Sequence, residues 1–229
     1  MSAIQKLRDQ LKSKGVATTA RKFWKNYVFF HWELIWMERD LVSPVPPHNL
    51  KPYKPLTLVD ITVQNADAFA KYFGDRVETM RELASEGHTG HMYLDEAGHA
   101  VSFIWGTKHD YFDRHYYRCM FPVKPGEFFE FGGELTRRYW GTCLSVDLQL
   151  DLWRSMREQG CDKVVDVCET HNIPALKLHK RMGYTEQGRV THVYGLFRKW
   201  RFSRVSRYKD PRLDELCNIA RAPVAASAA

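Results

Sequence analysis

The sequence lacks several features that would place it in a specialised class of protein. No apolar run approaches the roughly 18 residues of a membrane-spanning helix, and the amino terminus shows neither the apolar stretch nor the cleavage site of a secretory signal. There is no internal repeat. The five cysteines form no Cys-x-x-Cys pair, which disfavours both a disulfide framework and a zinc site. We therefore expect a cytoplasmic protein with reduced thiols and no bound metal.

What the chain does contain is enough apolar sequence for one core, together with a locally concentrated positive charge. Its 229 residues are 44% hydrophobic and 14% aromatic, which suits one globular domain with extensions. The net charge is +7, and residues 177–212 alone hold eleven Lys or Arg against two Asp or Glu. This charge favours anionic partners, but it does not distinguish among phosphates, nucleic acid, acidic proteins and lipid headgroups.

Composition divides the chain into four parts. Residues 1–41 hold eight Lys or Arg against four Asp or Glu and are rich in aromatics, so they are predicted to be an amino-terminal extension that contacts the inner membrane face or packs on the protein's own core. Residues 42–55 are punctuated by prolines and are predicted to be a linker. Residues 56–210 form the main domain, and residues 211–229 a short helix with a disordered alanine-rich tail.

The carboxyl-terminal basic block has the spacing of a strand. Its apolar side chains, at Tyr194, Leu196, Trp200 and Phe202, are separated by even numbers, as a half-buried strand requires. Nucleic-acid binding would need these aromatics exposed for stacking. A solvated basic face over buried aromatics is the preferred interpretation, so nucleic acid is not a predicted partner.

Two features in the middle of the chain indicate a ligand site. Gly132 and Gly133 lie inside an apparent strand, Phe128 to Leu135, where paired glycines suggest a bulge or the close approach of a ligand. Residues 136–145 follow and lead into a helix. They place small residues and cations where free backbone amides could hold a pyrophosphate, although an ordinary loop with surface arginines would look similar.

The carboxyl half carries a motif that resembles the GNAT N-acetyltransferase superfamily. That motif runs Asn-x-x-Ala, then four residues to a tyrosine, then Gly-aromatic. The sequence reads Asn172-Ile-Pro-Ala175-Leu-Lys-Leu-His179-Lys-Arg-Met-Gly183-Tyr184, so the spacing is kept and His179 replaces the tyrosine. The segments Pro125-Gly126-Glu127 and Glu38-Arg39-Asp40-Leu41 are further similar to members found with bacterial cell-surface polysaccharide genes.

The family's acetyl-CoA loop, Gln/Arg-x-x-Gly-x-Gly/Ala, fits in two registers. The distance to Gly160 places Trp140 first, Cys143 at the first glycine and Ser145 at the last, so only small size is retained. A second register, Arg138-x-x-Gly141-x-Cys143, matches the motif better but makes the next helix two residues longer than usual. The first is preferred and the second stays open.

The resemblance implies a fold and a cofactor site. The expected fold is α/β, a mixed and mostly antiparallel central sheet with flanking helices and a splayed, cofactor-binding strand pair. Acetyl-CoA is the expected acyl donor. The residues expected to bind it are Leu135, Arg137, Arg138, Trp140, Gly141, Thr142, Cys143, Leu144, Ser145 and Asn172, of which Asn172 more simply caps its helix.

The chemistry of acyl transfer then suggests roles for individual side chains. An amine must lose a proton to a base, and Glu127, Glu130 and Glu134 lie on the expected strand. Glu130 ranks first, although each could be a surface carboxylate. His179 stands where the family's tyrosine protonates the departing thiolate, and a histidine can donate a proton at neutral pH. A packed or solvated helix histidine is the equal alternative.

These residues predict an acyl-CoA-dependent N-acyltransferase that acts on an amine of a small molecule or a cell-surface glycan precursor. The loop of residues 108–118 is dense in groups that bind sugars or charged acceptors. One alternative is an enzyme that takes its acyl group from an acyl carrier protein. Another is a non-catalytic module that has kept the fold and lost the acetyl-CoA loop.

Overall fold

The structure is a computed structural model that describes residues 28–197 and 199–219. The predictions for residues 1–27, Arg198 and residues 220–229 lie outside the described residues. The described strands are β1 (Phe29–Asp40), β2 (Thr57–Asp60), β3 (Thr89–Leu94), β4 (Ala100–Thr107), β5 (Tyr111–Phe112), β6 (Met120–Phe121), β7 (Glu127–Leu135), β8 (Lys163–Glu169), β9 (Thr185–Leu196) and β10 (Trp200–Arg207).

Five α-helices and three 3-10 turns accompany these strands in the described residues. The helices are α1 (Ala70–Phe73), α2 (Val77–Ser85), α3 (Leu144–Glu158), α4 (Ile173–Arg181) and α5 (Leu213–Ile219), and the turns are Ala66–Phe69, Gly74–Arg76 and Arg137–Tyr139. Helix α3 shows why such segments form here, because Leu144, Leu148 and Leu152 recur every four residues and are all buried. None of the described helices is long and apolar enough to cross a bilayer.

Eight strands form one sheet in the order β10-β9-β1-β8-β7-β4-β3-β2, and β5 pairs separately with β6. Every neighbouring pair in the large sheet is antiparallel except β7 and β8. Those two are joined through α3, the crossover that a parallel pair needs. They pair only at Glu127–Phe129 against Lys163–Val165 and then diverge. The predicted mixed, mostly antiparallel sheet with flanking helices and a splayed strand pair is therefore confirmed.

An apolar core lies on each face of the sheet. Helices α3, α4 and α5 cover one face, where Ile35, Phe128 and Leu148 are buried together. Helices α1 and α2 and the aromatic segment before β7 cover the other face, around Trp36 and Phe129. Strand β4 is buried along its whole length, because both layers cover it.

Strand β1 corrects, for residues 29–41, the prediction that the amino-terminal segment is an extension outside the domain. Strand β1 lies inside the sheet, paired with β8 on one side and β9 on the other. Leu34, Ile35, Trp36 and Met37 are each 0–1% exposed. A strand that is buried on both faces has a nearly continuous apolar sequence. The prediction of an extension depended instead on the basic residues that precede this apolar run.

The proline-rich segment 42–55, predicted to be a linker, packs against the core. Val45, Leu50 and Tyr53 are partly buried against the face covered by α3. Arg39, at the end of β1, fixes its start by donating to the carbonyl oxygens of Ser43 and Met182. The segment therefore connects β1 to β2 across the surface of one domain.

The carboxyl-terminal hairpin corrects a second prediction. Strands β9 and β10 have the expected alternation, but Trp200 and Phe202 are each 57% exposed. β10 is the edge strand, and no described helix covers the part of its face that carries these rings. The spacing predicted a strand correctly and its burial wrongly, since a pattern does not show whether another layer is present.

Candidate active site

The candidate site lies where the parallel strands β7 and β8 separate. Phe129 and Val165 form the last pair of the ladder, and Glu130 and Asp166 are the next residues of their strands. The gap opens into a cleft of about 580 Å³, a volume in the range of small-molecule sites. Its walls come from β7, β8, α3, α4 and the segment between β4 and β7. Two carboxylates therefore stand at the apex of a ligand-sized cleft.

Glu130 is held by three hydrogen-bond donors. Its carboxylate accepts from Gln149 Nε2 at 3.0 Å, from Trp153 Nε1 at 2.8 Å and from the Tyr184 hydroxyl at 3.3 Å. The side chain is buried, and burial together with the charge of Asp166 raises the pKa of Glu130 to about 8. A carboxyl group with this pKa can take up or release a proton near neutral pH.

His179 forms a buried ion pair with Asp166. Its Nε2 lies 2.5 Å from Asp166 Oδ2, and its Nδ1 lies 2.7 Å from the carbonyl oxygen of Ala175. Both partners are acceptors, so both ring nitrogens carry hydrogens when Asp166 is ionised. Burial lowers the pKa of His179, but the charge of Asp166 and its hydrogen bond outweigh burial and raise the pKa overall. The pair is an imidazolium facing a carboxylate.

Asp166 is the residue of this group that the sequence analysis missed. It stands inside the apolar run Val164-Val165-Asp166-Val167 and is only 9% exposed. A carboxylate in the middle of an otherwise apolar strand is rarely buried without a partner. The one charged residue in this apolar run was therefore the sequence feature that could have identified Asp166 as a site residue.

The same three side chains could also be considered as metal ligands. Glu130, Asp166 and His179 each place a ligand atom within 4.8 Å of the others, as do His31, Glu33 and His192 elsewhere in the described chain. Around Glu130, however, the carboxylate already accepts from indole, amide and hydroxyl donors. These hydrogen bonds suit a carboxyl group that takes up and releases protons. The prediction of no bound metal stays a prediction.

The glycine pair in β7 forms the predicted bulge. The register with β4 shifts between Phe103 and Trp105, and Gly132 has a φ of +65°, which favours glycine. Both glycines line the cleft. The bulge separates Glu130 from Glu134, which forms an ion pair with Arg76 at 2.6 Å. Glu127 lies at the paired end of β7, outside the cleft lining.

The strand-to-helix loop after β7 has fewer free amides than predicted. The N–H groups of Tyr139, Trp140 and Thr142 donate to carbonyl oxygens within the loop, and that of Cys143 donates to Lys51 O at 2.8 Å. Lys51 N in turn donates to Gly141 O at 3.2 Å, so the proline-rich segment pairs with the loop. Part of this loop is therefore already hydrogen-bonded, and the binding of a pyrophosphate by its remaining amides stays a prediction. The backbone amides of Leu144 and Ser145 begin α3, where no intrahelical acceptor exists.

The predicted cofactor residues occupy several different environments. Leu135, Ser145 and Asn172 line the cleft, whereas Arg138 and Thr142 line a separate depression beside residues 52–56. Leu144 is fully buried, so its side chain belongs to the core. Arg137 stacks over the exposed ring of Trp140, 5.7 Å from its centre, and the Cys143 thiol faces Leu50 O. The structure does not bring these side chains together around one pocket.

Asn172 acts as the N-cap of α4. Its Oδ1 accepts from the amide of Ala175 at 3.3 Å, as the simpler interpretation of the sequence predicted. Helix α4 begins here because this cap satisfies a first-turn amide and Pro174, in the first turn, needs no hydrogen-bond acceptor. The helix thereby carries His179 to Asp166.

The segment 108–118 contributes one wall of the cleft. Tyr111, Asp113, His115, Tyr116 and Tyr117 all line it. Tyr117 donates to Glu169 at 3.2 Å, and burial raises the pKa of that phenol. Among the other histidines, His88, His109 and His115 lie in loops, whereas His91 is buried on β3, 2.8 Å from Asp60.

The proteins similar to this chain are found among solved structures. No family model and no curated protein sequence matches the chain. Similar solved structures include a Drosophila protein (11% identity, 82% of this chain and 59% of that chain, TM-score 0.49). Others are a GCN5-related N-acetyltransferase from Sphaerobacter thermophilus (13%, 79% and 57%, 0.45) and the GNAT family N-acetyltransferase YhbS from Escherichia coli in complex with CoA (17%, 59% and 72%, 0.40). The chain spans less than two thirds of the first two proteins.

Proposed function

We propose that the protein is an acyl-CoA-dependent N-acyltransferase that uses acetyl-CoA to acylate an amine. The observation that carries this proposal is the position of Glu130, with its pKa of about 8, at the apex of the cleft between the diverging strands. Acyl transfer to an amine needs a group that accepts a proton near neutral pH beside a channel for the donor. The acceptor is an amine on a small molecule or a glycan precursor, approached along residues 108–118.

The proposed step assigns Glu130 as the base. The amine nitrogen attacks the thioester carbonyl carbon and the carbon–sulfur bond breaks. One proton leaves the attacking nitrogen for the Glu130 carboxylate. The departing thiolate takes up one proton from solvent or, once its contact with Asp166 is released, from His179. Glu130 then returns its proton to solvent, so the carboxylate is restored. Trp153 and Tyr184 orient the carboxylate through their hydrogen bonds, which keeps its lone pairs at a fixed position.

His179 was predicted as the acid for the thiolate, and its geometry suggests an additional role. Because its Nε2 hydrogen faces Asp166, donation toward the cleft requires the ring to give up that contact. While the contact lasts, the imidazolium balances the charge of Asp166. It is then a positioning residue that limits how far Asp166 raises the pKa of Glu130.

Some of the residues predicted to bind acetyl-CoA have groups that suit its phosphates. The first-turn amides at Leu144 and Ser145 and the exposed guanidinium groups of Arg137 and Arg138 could meet phosphate groups. The bound donor would supply an activated thioester. The pairing of Lys51 with Cys143 occupies one amide of the loop, and this observation favours the alternative of a non-catalytic module that has kept the fold.

Calorimetric titration with acetyl-CoA tests the proposal. Gly141 has a φ of +76° and open space where a Cβ would point, so Gly141→Trp should cover the loop and abolish binding. Gly160, at the opposite end of α3, has a φ of +87° and equally open space. Gly160→Trp therefore carries the same backbone strain and should keep micromolar binding.

Three results would count against the proposal. No heat of binding in the parent protein would shift the assignment to a carrier-protein donor or to a non-catalytic module. A longer acyl chain found on a co-purified donor would favour the carrier protein. Equal loss of binding in both tryptophan variants would show that strain, and not the loop, is responsible.

A further inference from the structure

The outer end of the sheet carries a group of neighbouring aromatic side chains, all exposed except the half-buried Tyr194. This group, named here the aromatic strip, comprises Phe29, Tyr194, Phe197, Trp200 and Phe202. The strip crosses β1, β9 and β10, with the Tyr194 ring 6.3 Å from Phe29 and 5.0 Å from Phe202 between centres. Phe29 is 41% exposed, and Phe197, Trp200 and Phe202 are 57% exposed. A contiguous apolar surface of this kind marks an interaction site.

Positive charge surrounds the strip. Residues 197–209 contain six Lys or Arg and no Asp or Glu, and Lys199, Arg204 and Arg207 are exposed in the structure. Residues 1–27 contain seven Lys or Arg and one Asp. Any partner of this surface must combine an apolar layer with negative charge.

The ring contacts favour a lipid surface over nucleic acid. Base stacking needs an aromatic face that is open to the ligand, but the two faces of Tyr194 are taken by His31, stacked at 4.6 Å, and Phe202. Phe197 and Trp200 lie instead at the turn, where the β9–β10 ladder ends at the Leu196–Trp200 pair. An apolar tip ringed by cations matches the boundary between acyl chains and anionic headgroups.

We propose that the β9–β10 hairpin docks the protein on an anionic lipid bilayer. Phe197 and Trp200 would enter the interface, and Lys199 and Arg204 would pair with headgroup phosphates. The proposal is independent of acyl transfer and assigns the contact to the folded hairpin.

Vesicle co-sedimentation of the full chain tests this docking. The protein should bind phosphatidylcholine vesicles containing about 30% phosphatidylglycerol at least about tenfold more tightly than phosphatidylcholine alone, and added salt should weaken the binding. Phe197→Ala with Trp200→Ala, and separately Lys199→Glu with Arg204→Glu, should each reduce binding about tenfold or more.

Two substitutions elsewhere serve as controls. Leu58→Ala changes an exposed apolar residue on β2, at the opposite edge of the sheet, and Lys124→Glu reverses an exposed charge before β7. Both should bind like the parent protein, and circular dichroism should show all variants folded. The altered residues are exposed, so folding should survive.

Several outcomes would overturn the proposal. Equal binding to neutral and anionic vesicles would remove the charge argument. Full binding by both hairpin variants would assign the contact to residues 1–27. Binding to single-stranded RNA without binding to vesicles would identify a nucleic-acid surface, and concentration-dependent dimerisation that the hairpin variants abolish, without vesicle binding, would identify a self-association surface.

Discussion

At the residue scale, the site depends on three titratable side chains whose charges balance one another. Glu130, Asp166 and His179 come from β7, β8 and α4 and are all buried. With His179 protonated and Asp166 ionised, burial raises the pKa of Glu130, and the nearby negative charge of Asp166 raises it further. The group can therefore store one proton close to neutral pH.

Replacement of Glu130 should change how stability depends on pH. Because the pKa of Glu130 is about 8 in the folded protein and near its usual 4.5 when unfolded, the folded state binds more protons between these values. Stability from this group therefore falls as pH rises through that window. Glu130→Gln removes the titration, so urea unfolding should show the parent losing stability relative to the variant from about pH 5 to about pH 8.

Glu134→Gln is the matched control for this experiment. It changes a partly exposed carboxylate on the same strand and leaves Glu130 in place, so the parent's pH profile should persist. A constant difference between the parent and Glu130→Gln across the range would contradict a raised pKa for Glu130.

At the element scale, β1 connects two parts of the sheet that are distant in sequence. It lies between β8 and β9, and its Ile35 and Trp36 point into opposite cores. Arg39 at its end stacks on Trp153, 5.2 Å from the ring centre, and Trp153 in turn donates to Glu130. The strand thus supports the floor of the candidate site.

Shortening a buried side chain of β1 should therefore lower the free energy of unfolding. Ile35 is fully buried, and Ile35→Ala should reduce the free energy of unfolding by about 2–5 kcal/mol in urea titrations. Val42→Ala, two residues beyond the strand and 69% exposed, should change it by less than about 0.5 kcal/mol. Similar small effects at both positions would mean that β1 is a peripheral extension after all.

At the scale of the whole molecule, one domain includes parts that the composition separates. The segment 42–55 packs on the core, and β1 precedes it in the chain but stands in the middle of the sheet. Without β1, both β8 and β9 would lose a paired neighbour, and unpaired buried strands expose backbone groups that need partners.

Deletion of residues 1–41 should therefore prevent folding. The shortened chain should lack the sharp amide spectrum and the cooperative thermal transition of the full protein, as measured by nuclear magnetic resonance and calorimetry. A shortened chain that melts cooperatively, with Trp105 still shielded from fluorescence quenchers, would show that residues 42–219 fold without β1.

Local patterns in the sequence determined the elements and the class of the fold. The alternation of β9 and β10, the four-residue spacing in α3, the glycine bulge and the Asn172 cap each depend on neighbours within a few residues. The GNAT-like motif added the expectation of a splayed pair, and it pointed to Glu130 and His179, which the structure brings to the same buried cluster.

Only the tertiary structure decided which strands lie in the centre and what each site residue faces. The burial of β1, the exposure of Trp200 and Phe202, the pairing of Lys51 with Cys143 and the contact of His179 with Asp166 all join or separate residues far apart in the chain. A sequence pattern records which side chains share a face. It does not record what covers that face, because burial and long-range pairing depend on the packing of the whole sheet.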